Sequence, residues 1–181
     1  MRDQDVDILP ACKWNLKSES QSEIEKMLLG LKAEGDSVGG VAEIWVQGAP
    51  QGLGQPVFHK LKSDLAAAYM SIGATTGVEL GGGFALTGRR GTEVHQPTQD
   101  VYGGIRGGIS TGEKIVFRVA FKPTSSILDV AKKGRHDPCI VLRALPVLEA
   151  MTYLVMADHV LWKRLDQIES AGSSTDCVSG S

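Results

Sequence analysis

Glycine clusters constrain this chain more than any other feature of its sequence. Pairs and a triplet recur at Gly39-Gly40, Gly81-Gly82-Gly83, Gly103-Gly104 and Gly107-Gly108, mostly beside strand-like segments. Lacking a Cβ, glycine takes up positive φ at little cost and lets the backbone approach a ligand or another backbone closely. The chain has 22 glycines in 181 residues, about 12% against a usual share near 7%. The clusters therefore mark turns and close approaches between ordered elements.

Between the clusters the hydrophobic period alternates between helix and strand. From Ser20, capping boxes formed by Ser20 with Glu23 or Ser22 with Glu25 precede Ile24, Met27, Leu28 and Leu31 at helical spacing, which predicts a helix ending near Gly35. Residues 38–48 alternate Ala42, Ile44 and Val46 against Glu43, Trp45 and Gln47, a strand with one buried face. Phe58, Leu61, Leu65, Tyr69 and Ile72 then follow an amphipathic helix running to about Ser71.

A short strand at 76–80 leads into the triple glycine, and residues 87–101 read as a mobile loop. Residues 114–121 alternate as a strand, 122–142 look irregular, and Arg143 to about Asp166 forms a long helix with Pro146 in its first turn. Several connections are short enough for hairpins, and no glycine cluster makes a nucleotide fingerprint. An α+β fold with an antiparallel sheet packed on long helices is expected, rather than a parallel Rossmann-like sheet. Residues 1–19 read as an irregular lead-in, 20–166 as one domain, and 167–181 as a Ser/Gly-rich disordered tail.

Composition narrows the function. The net charge is -2, and no stretch gathers more than a few basic residues, which argues against sequence-independent nucleic-acid binding. Cys12, Cys139 and Cys177 share no metal-type spacing and are odd in number, as in a reducing compartment. The acidic N-terminus has no apolar run, and no segment reaches 18 uninterrupted apolar residues. The expectation is a soluble, cytoplasmic product without a membrane segment.

Three constellations could carry chemistry. Lys122-Pro123-Thr124-Ser125-Ser126 succeeds a strand and offers one cation, three hydroxyls and free amides, either an anion cradle or a solvated polar turn. Arg135-His136-Asp137-Pro138-Cys139 gathers a fixed cation, a titratable ring, a carboxylate and a thiol, with Pro138 holding Asp137 extended. A salt-bridged structural turn is its plainer reading. Residues 103–110, Gly-Gly-Ile-Arg-Gly-Gly-Ile-Ser, lack the Gly-Lys-Ser/Thr ending of a phosphate loop, and the next segment alternates like a strand instead of opening a helix. His59, His95 and His159 have no partner histidine at ligand spacing. They are expected at the surface or its boundary, and no metal site is expected.

At these residues the chain resembles the chorismate synthase family. The blocks Gly35-Asp36-Ser37-Val38-Gly39-Gly40, Gly52 to Phe58, Ala68 to Ile72, Gly77-Val78-Glu79-Leu80, Gly103 to Ser110, Lys122 to Ile127 and Lys133 to Cys139 occur in the family's order. The resemblance covers about residues 20–165, the C-terminal half of a family chain, and implies half of a β-α-α-β sandwich. It implies a lyase that eliminates phosphate and a proton from 5-enolpyruvylshikimate 3-phosphate to give chorismate with reduced FMN, in a homotetramer. Carried over position by position, it implies FMN contacts at Gly73, Ala74, Gly107, Lys122, Pro123, Thr124, Ser125, Ser126 and Arg135, and a catalytic carboxylate at Asp137. The family's Gly-Glu-Ser-His-Gly segment, catalytic histidines and substrate-binding arginines have no counterpart here. The resemblance thus implies an incomplete catalyst needing an N-terminal half, or else a non-catalytic FMN-binding or assembly remnant.

Overall fold

The computed structural model describes residues 18–96, 101–128 and 136–165, with side chains from residue 22 onward. The expected lead-in with Cys12 and Trp14 and the tail with Cys177 lie outside the described residues, apart from the backbone of residues 18 and 19. Strand β1 (Gly40–Val46), helix α2 (Leu61–Met70), strand β2 (Thr75–Leu80), strand β5 (Ile115–Phe121) and helix α4 (Val141–Leu165) make the body of the domain. Helix α1 (Ser18–Glu34) precedes them; helix α3 (Gly91–Val94) and the hairpin of β3 (Ile105–Arg106) and β4 (Ile109–Ser110) lie between β2 and β5.

The sheet order is β1-β5-β2, and β5 pairs antiparallel with both neighbours. Register sets Val119 between Ala42 and Val78, and Phe117 between Ile44 and Leu80. Because successive side chains point to opposite faces, Ile115, Phe117, Val119 and Phe121 all enter the core. They meet Leu61, Leu65 and Tyr69 of α2 and Ala144 and Leu148 of α4. The α+β fold with an antiparallel sheet on long helices is thus observed, with both helices on one sheet face.

The opposite sheet face is charged. Arg118 lies 2.5 Å from Glu79, Trp45 donates to Glu43, and the Lys114 ammonium sits 3.8 Å above the Trp45 ring. That is a face built for water. Inside, the Tyr69 ring meets Phe117 edge-on and its hydroxyl bonds Thr152 at 2.8 Å. Burial pushes the Tyr69 phenol up to about 12, opposed by the Thr152 hydrogen bond.

Three sequence expectations shift. Phe58, expected on the buried face of α2, is 83% exposed, because Pro56 and Val57 (φ 72) form a turn and the helix opens only at Leu61. Helix α4 begins at Val141, which moves Pro146 into the second turn, where its missing N–H leaves one intrahelical bond unmade. Residues 87–96 carry α3 rather than being wholly irregular, while 97–100 lie outside the described residues. Helix α4 is also long and apolar enough to cross a membrane by length and composition. Of that helix, Ala144, Leu148, Thr152 and His159 are buried in the core.

Candidate functional site: a cationic hydroxyl turn at the end of the central strand

The ladder stops at Phe121 because Pro123 has no N–H to donate. Lys122, next in the chain, donates its backbone N–H to the Ala74 carbonyl at 2.9 Å. The link between α2 and β2, carrying Gly73 and Ala74, therefore lies against the start of the turn. Ala74 holds a left-handed φ of 70, a conformation that costs energy in a residue with a Cβ. Gly73 has nothing within 4 Å of where a Cβ would stand, so the surface there is open.

Two further stretches are laced to the turn. Ser37 Oγ donates to the Thr124 carbonyl at 2.8 Å, and a Cβ on Gly39 would collide with the Phe121 carbonyl. Glycine at 39 is thus required by close approach, as its cluster suggested. From the segment beginning at His136, Asp137 offers its carbonyl to Thr124 Oγ1 at 2.9 Å, Pro138 O accepts the Val38 N–H at 2.8 Å, and His136 Nε2 meets Asp36 O at 2.8 Å.

Asp137 is held rather than loose. Arg143 Nε, in the first turn of α4, stands 2.6 Å from Asp137 Oδ2; the approach lacks hydrogen-bond alignment, so the contact is an ion pair. The Cys139 N–H reaches Oδ1 at 3.4 Å, a long contact that helps aim the carboxylate. Cys139 is free and half-buried.

The turn retains spare hydrogen-bonding capacity. Among the described residues only the Thr124 hydroxyl of the three is engaged, and none pairs with the Lys122 ammonium or the Ser125 and Ser126 hydroxyls. Nearby Thr75 Oγ1 and His136 Nδ1 are buried without a partner. Buried polar atoms are nearly always satisfied, so orphans beside an unpaired cation fit a polar, anionic ligand.

The structure thus brings Gly73, Ala74, Lys122 to Ser126 and Asp137 together. Arg135 lies outside the described residues. Gly107 does not join them: with Gly108 it forms the two-residue tip of the β3–β4 hairpin, at φ 62 and 96. The Gly108 carbonyl accepts Leu61 N–H at 2.9 Å, pinning the hairpin to the start of α2, whereas Gly73 and Ala74 come after its end. The ten residues of α2 separate the two places by about 15 Å. A shallow cavity of about 310 Å³ lined by Gly81, Arg89, Gly103 and Val116 also lies toward the hairpin end of β5.

This hairpin was not among the expectations for residues 103–110; its signal is the Gly107-Gly108 pair between Ile-Arg and Ile-Ser, residues that readily take the positive φ of a two-residue turn. The histidine expectation is corrected more sharply. His159 is 2% exposed, and its Nε2 lies 3.0 Å from Asp64 Oδ2, which His59 Nδ1 also approaches at 3.3 Å. Trp162 packs edge-on to both rings. A separation of 95 residues between Asp64 and His159 hid this pairing from local spacing. Among the described residues no group of three or more His, Cys, Asp or Glu side chains is placed to hold a metal.

Fold and site together define an α+β half-sandwich that presents a cationic hydroxyl turn at the end of its central strand. The chain belongs to the chorismate synthase family, whose model matches residues 10–161. It is 61% identical over 165 residues to the chorismate synthase of Bdellovibrio bacteriovorus, covering 91% of this chain and 48% of that protein. It is 47% identical to that of Opitutus terrae, covering 74% of this chain and 43% of that one. A crystal structure of chorismate synthase superposes with a TM-score of 0.69 at 34% identity, covering 80% of this chain and 44% of the other. The chain spans about half the length of the curated relatives it matches, and the match falls on their C-terminal half.

Proposed function

We propose that this chain supplies the cofactor half-site of a chorismate synthase, a cytoplasmic lyase that assembles as a homotetramer. The reaction would convert 5-enolpyruvylshikimate 3-phosphate to chorismate, breaking a carbon–oxygen bond to release phosphate and a carbon–hydrogen bond to release a proton. Reduced FMN would supply electron density to the substrate as phosphate leaves, and is regenerated. The observation that carries the reading is the cluster of Lys122, Ser125 and Ser126, unpaired among the described residues, with Thr75 Oγ1 and His136 Nδ1 buried without a partner, in a chain of this family. That donor set fits a phosphorylated cofactor.

In this reading the Lys122 ammonium neutralises a phosphate, the Ser125 and Ser126 hydroxyls donate to its oxygens, and Arg135 adds a second cation. Pro123 ends the strand so that the hydroxyls face outward, Thr124 ties the turn to Asp137, and Gly73 with Ala74 leaves room for a ring system. The Asp137 carboxylate, oriented by Arg143, holds or moves a proton beside the cofactor. Gly107 takes part only for a ligand spanning the length of α2. Residues 20–166 form the working domain, and the groups that grip substrate come from the remaining half of the relatives' length.

A second reading is a non-catalytic FMN-binding or assembly remnant of the family. The test is phosphate release and chorismate absorbance under anaerobic conditions with reduced FMN, for the chain alone and with a polypeptide carrying the N-terminal half of a relative. No turnover alone and turnover with both parts is expected. Flavin binding without turnover in the mixture would favour the remnant, and absence of flavin binding in both would sink the site.

A further inference from the structure

The cavity of about 310 Å³ at the hairpin end of β5 has apolar walls from Ala85, Leu86, Val101 and Val116. That volume is at the small end of ligand clefts, which run from roughly 300 to 1,000 Å³. It gives room for one ring or a short acyl chain.

The walls are tied together without a ligand. The Gly81 N–H donates to the Val116 carbonyl and the Gly82 N–H to the Val101 carbonyl, each at 2.9 Å. Gly81 and Gly103 press so closely that a Cβ on Gly81 would stand 2.6 Å from Gly103 N. Tyr102, between Val101 and Gly103, stacks on His95 with ring centroids 5.8 Å apart, and the Arg106 guanidinium lies 5.0 Å over its ring. A site held this way needs little rearrangement to bind.

Its polar content is narrow. Arg89 is the one charged lining group among the described residues, and its guanidinium has no partner there. Nearby acids in the chain are engaged elsewhere: Glu79 with Arg118 and the Phe84 N–H, Glu93 with the Arg90 N–H. The N–H groups of Gly81, Gly82, Ala85 and Arg89 all donate to carbonyls of the chain. A phosphate would therefore find a single cation and no nest of free amides there.

We infer that this cavity binds a small organic carboxylate, its apolar body against Ala85, Leu86, Val101 and Val116 and its carboxylate on Arg89. The planar guanidinium fork matches a carboxylate with two parallel hydrogen bonds. The site is separate from the Lys122 turn, with which it shares no residue. Val116 and Lys122 stand six residues apart along β5, about 20 Å in an extended strand. The inference is thus independent of the flavin reading, and its test contains no flavin.

Amide NMR titrations of the full chain with benzoate, benzamide and inorganic phosphate test it. Benzoate should shift the Gly81, Gly82 and Gly103 amides saturably. Benzamide, of the same shape but uncharged, should bind about tenfold more weakly or worse, and Arg89→Gln should bring benzoate down to the benzamide level. Gly82→Ala keeps a backbone already at φ -73 and ψ -12, but its methyl would stand 2.7 Å from Leu86 Cδ2 and so displace that wall. It should weaken benzoate and benzamide alike. Both variants should keep the wild-type far-ultraviolet circular dichroism, since neither replaces a residue of the core. Absence of saturable benzoate shifts, equal binding of benzamide, undiminished binding in Arg89→Gln, or displacement of benzoate by phosphate would each overturn the proposal. So would benzoate shifts confined to the Lys122 turn.

Discussion

Replacing Lys122 with alanine should separate binding from folding. The Lys122 ammonium is exposed and has no carboxylate partner among the described residues, so its removal leaves no buried charge behind. Its contribution to stability should stay within about 0.5 kcal/mol, as for ordinary surface substitutions. Its proposed partner is a phosphate, and a hydrogen bond to a charged group is worth roughly 1.5–3 kcal/mol. At about 1.4 kcal/mol per decade, FMN affinity should fall about 10- to 100-fold. Titration of flavin fluorescence with FMN and with riboflavin, which lacks the phosphate, reads this directly: the FMN constant should weaken while the riboflavin constant holds. Thr124→Val makes the contrast, because the Thr124 hydroxyl donates to the Asp137 carbonyl at 2.9 Å. It should cost about 1–2 kcal/mol in urea denaturation by leaving that acceptor unpaired. Equal loss of both flavins in Lys122→Ala, or undiminished FMN binding, would refute the assignment of Lys122 to the phosphate.

Two other outcomes test the frame that holds the site. The Tyr69 phenol, raised from 10.0 to about 12 when folded, contributes stability that is present below pH 10 and lost as pH climbs toward 12, roughly 3 kcal/mol in full. Tyr69→Phe should remove most of that alkaline decline, at the cost of about 1 kcal/mol at neutral pH from the lost Thr152 hydrogen bond, as followed by urea melts at about pH 8 and about pH 11. Gly54→Ala should destabilise the chain by roughly 2–4 kcal/mol, because Gly54 sits at φ 121 and a Cβ would stand 2.5 Å from the Gly108 carbonyl.

Where a fold rests on local period it was readable from the chain, and where it rests on distant pairing it was not. The alternation of Ile115, Phe117, Val119 and Phe121 announces a half-buried strand, and the core uses those four side chains as expected. That β5 is central, with β1 and β2 both at its sides, is not in any local pattern. Phe58 misled because it fits the period of α2, yet Pro56 and the left-handed Val57 form a turn before the helix can start. The site shows the same division. Gly39 and the hydroxyl run were visible by residue type, whereas the Asp64–His159 contact is a product of chain return and the Arg143–Asp137 ion pair depends on helix α4 opening at Val141. Gly107 shared a ligand with Lys122 only through family likeness; the hairpin sets it at the other end of α2.

The central place of β5 also fixes when the hydroxyl turn can come into being. Strands β1 and β2 each pair with β5, so Gly40 has no partner until Phe121 has left the ribosome. Leu80 must meet Phe117 across about 36 intervening residues, and Val46 must meet Ile115 across about 68, before the main sheet gains its hydrogen bonds, which slows folding relative to a hairpin meander. Lys122 is the next residue made. The hydroxyl turn therefore forms in the same event as the sheet, and a half-folded chain with the turn but without the sheet should never accumulate.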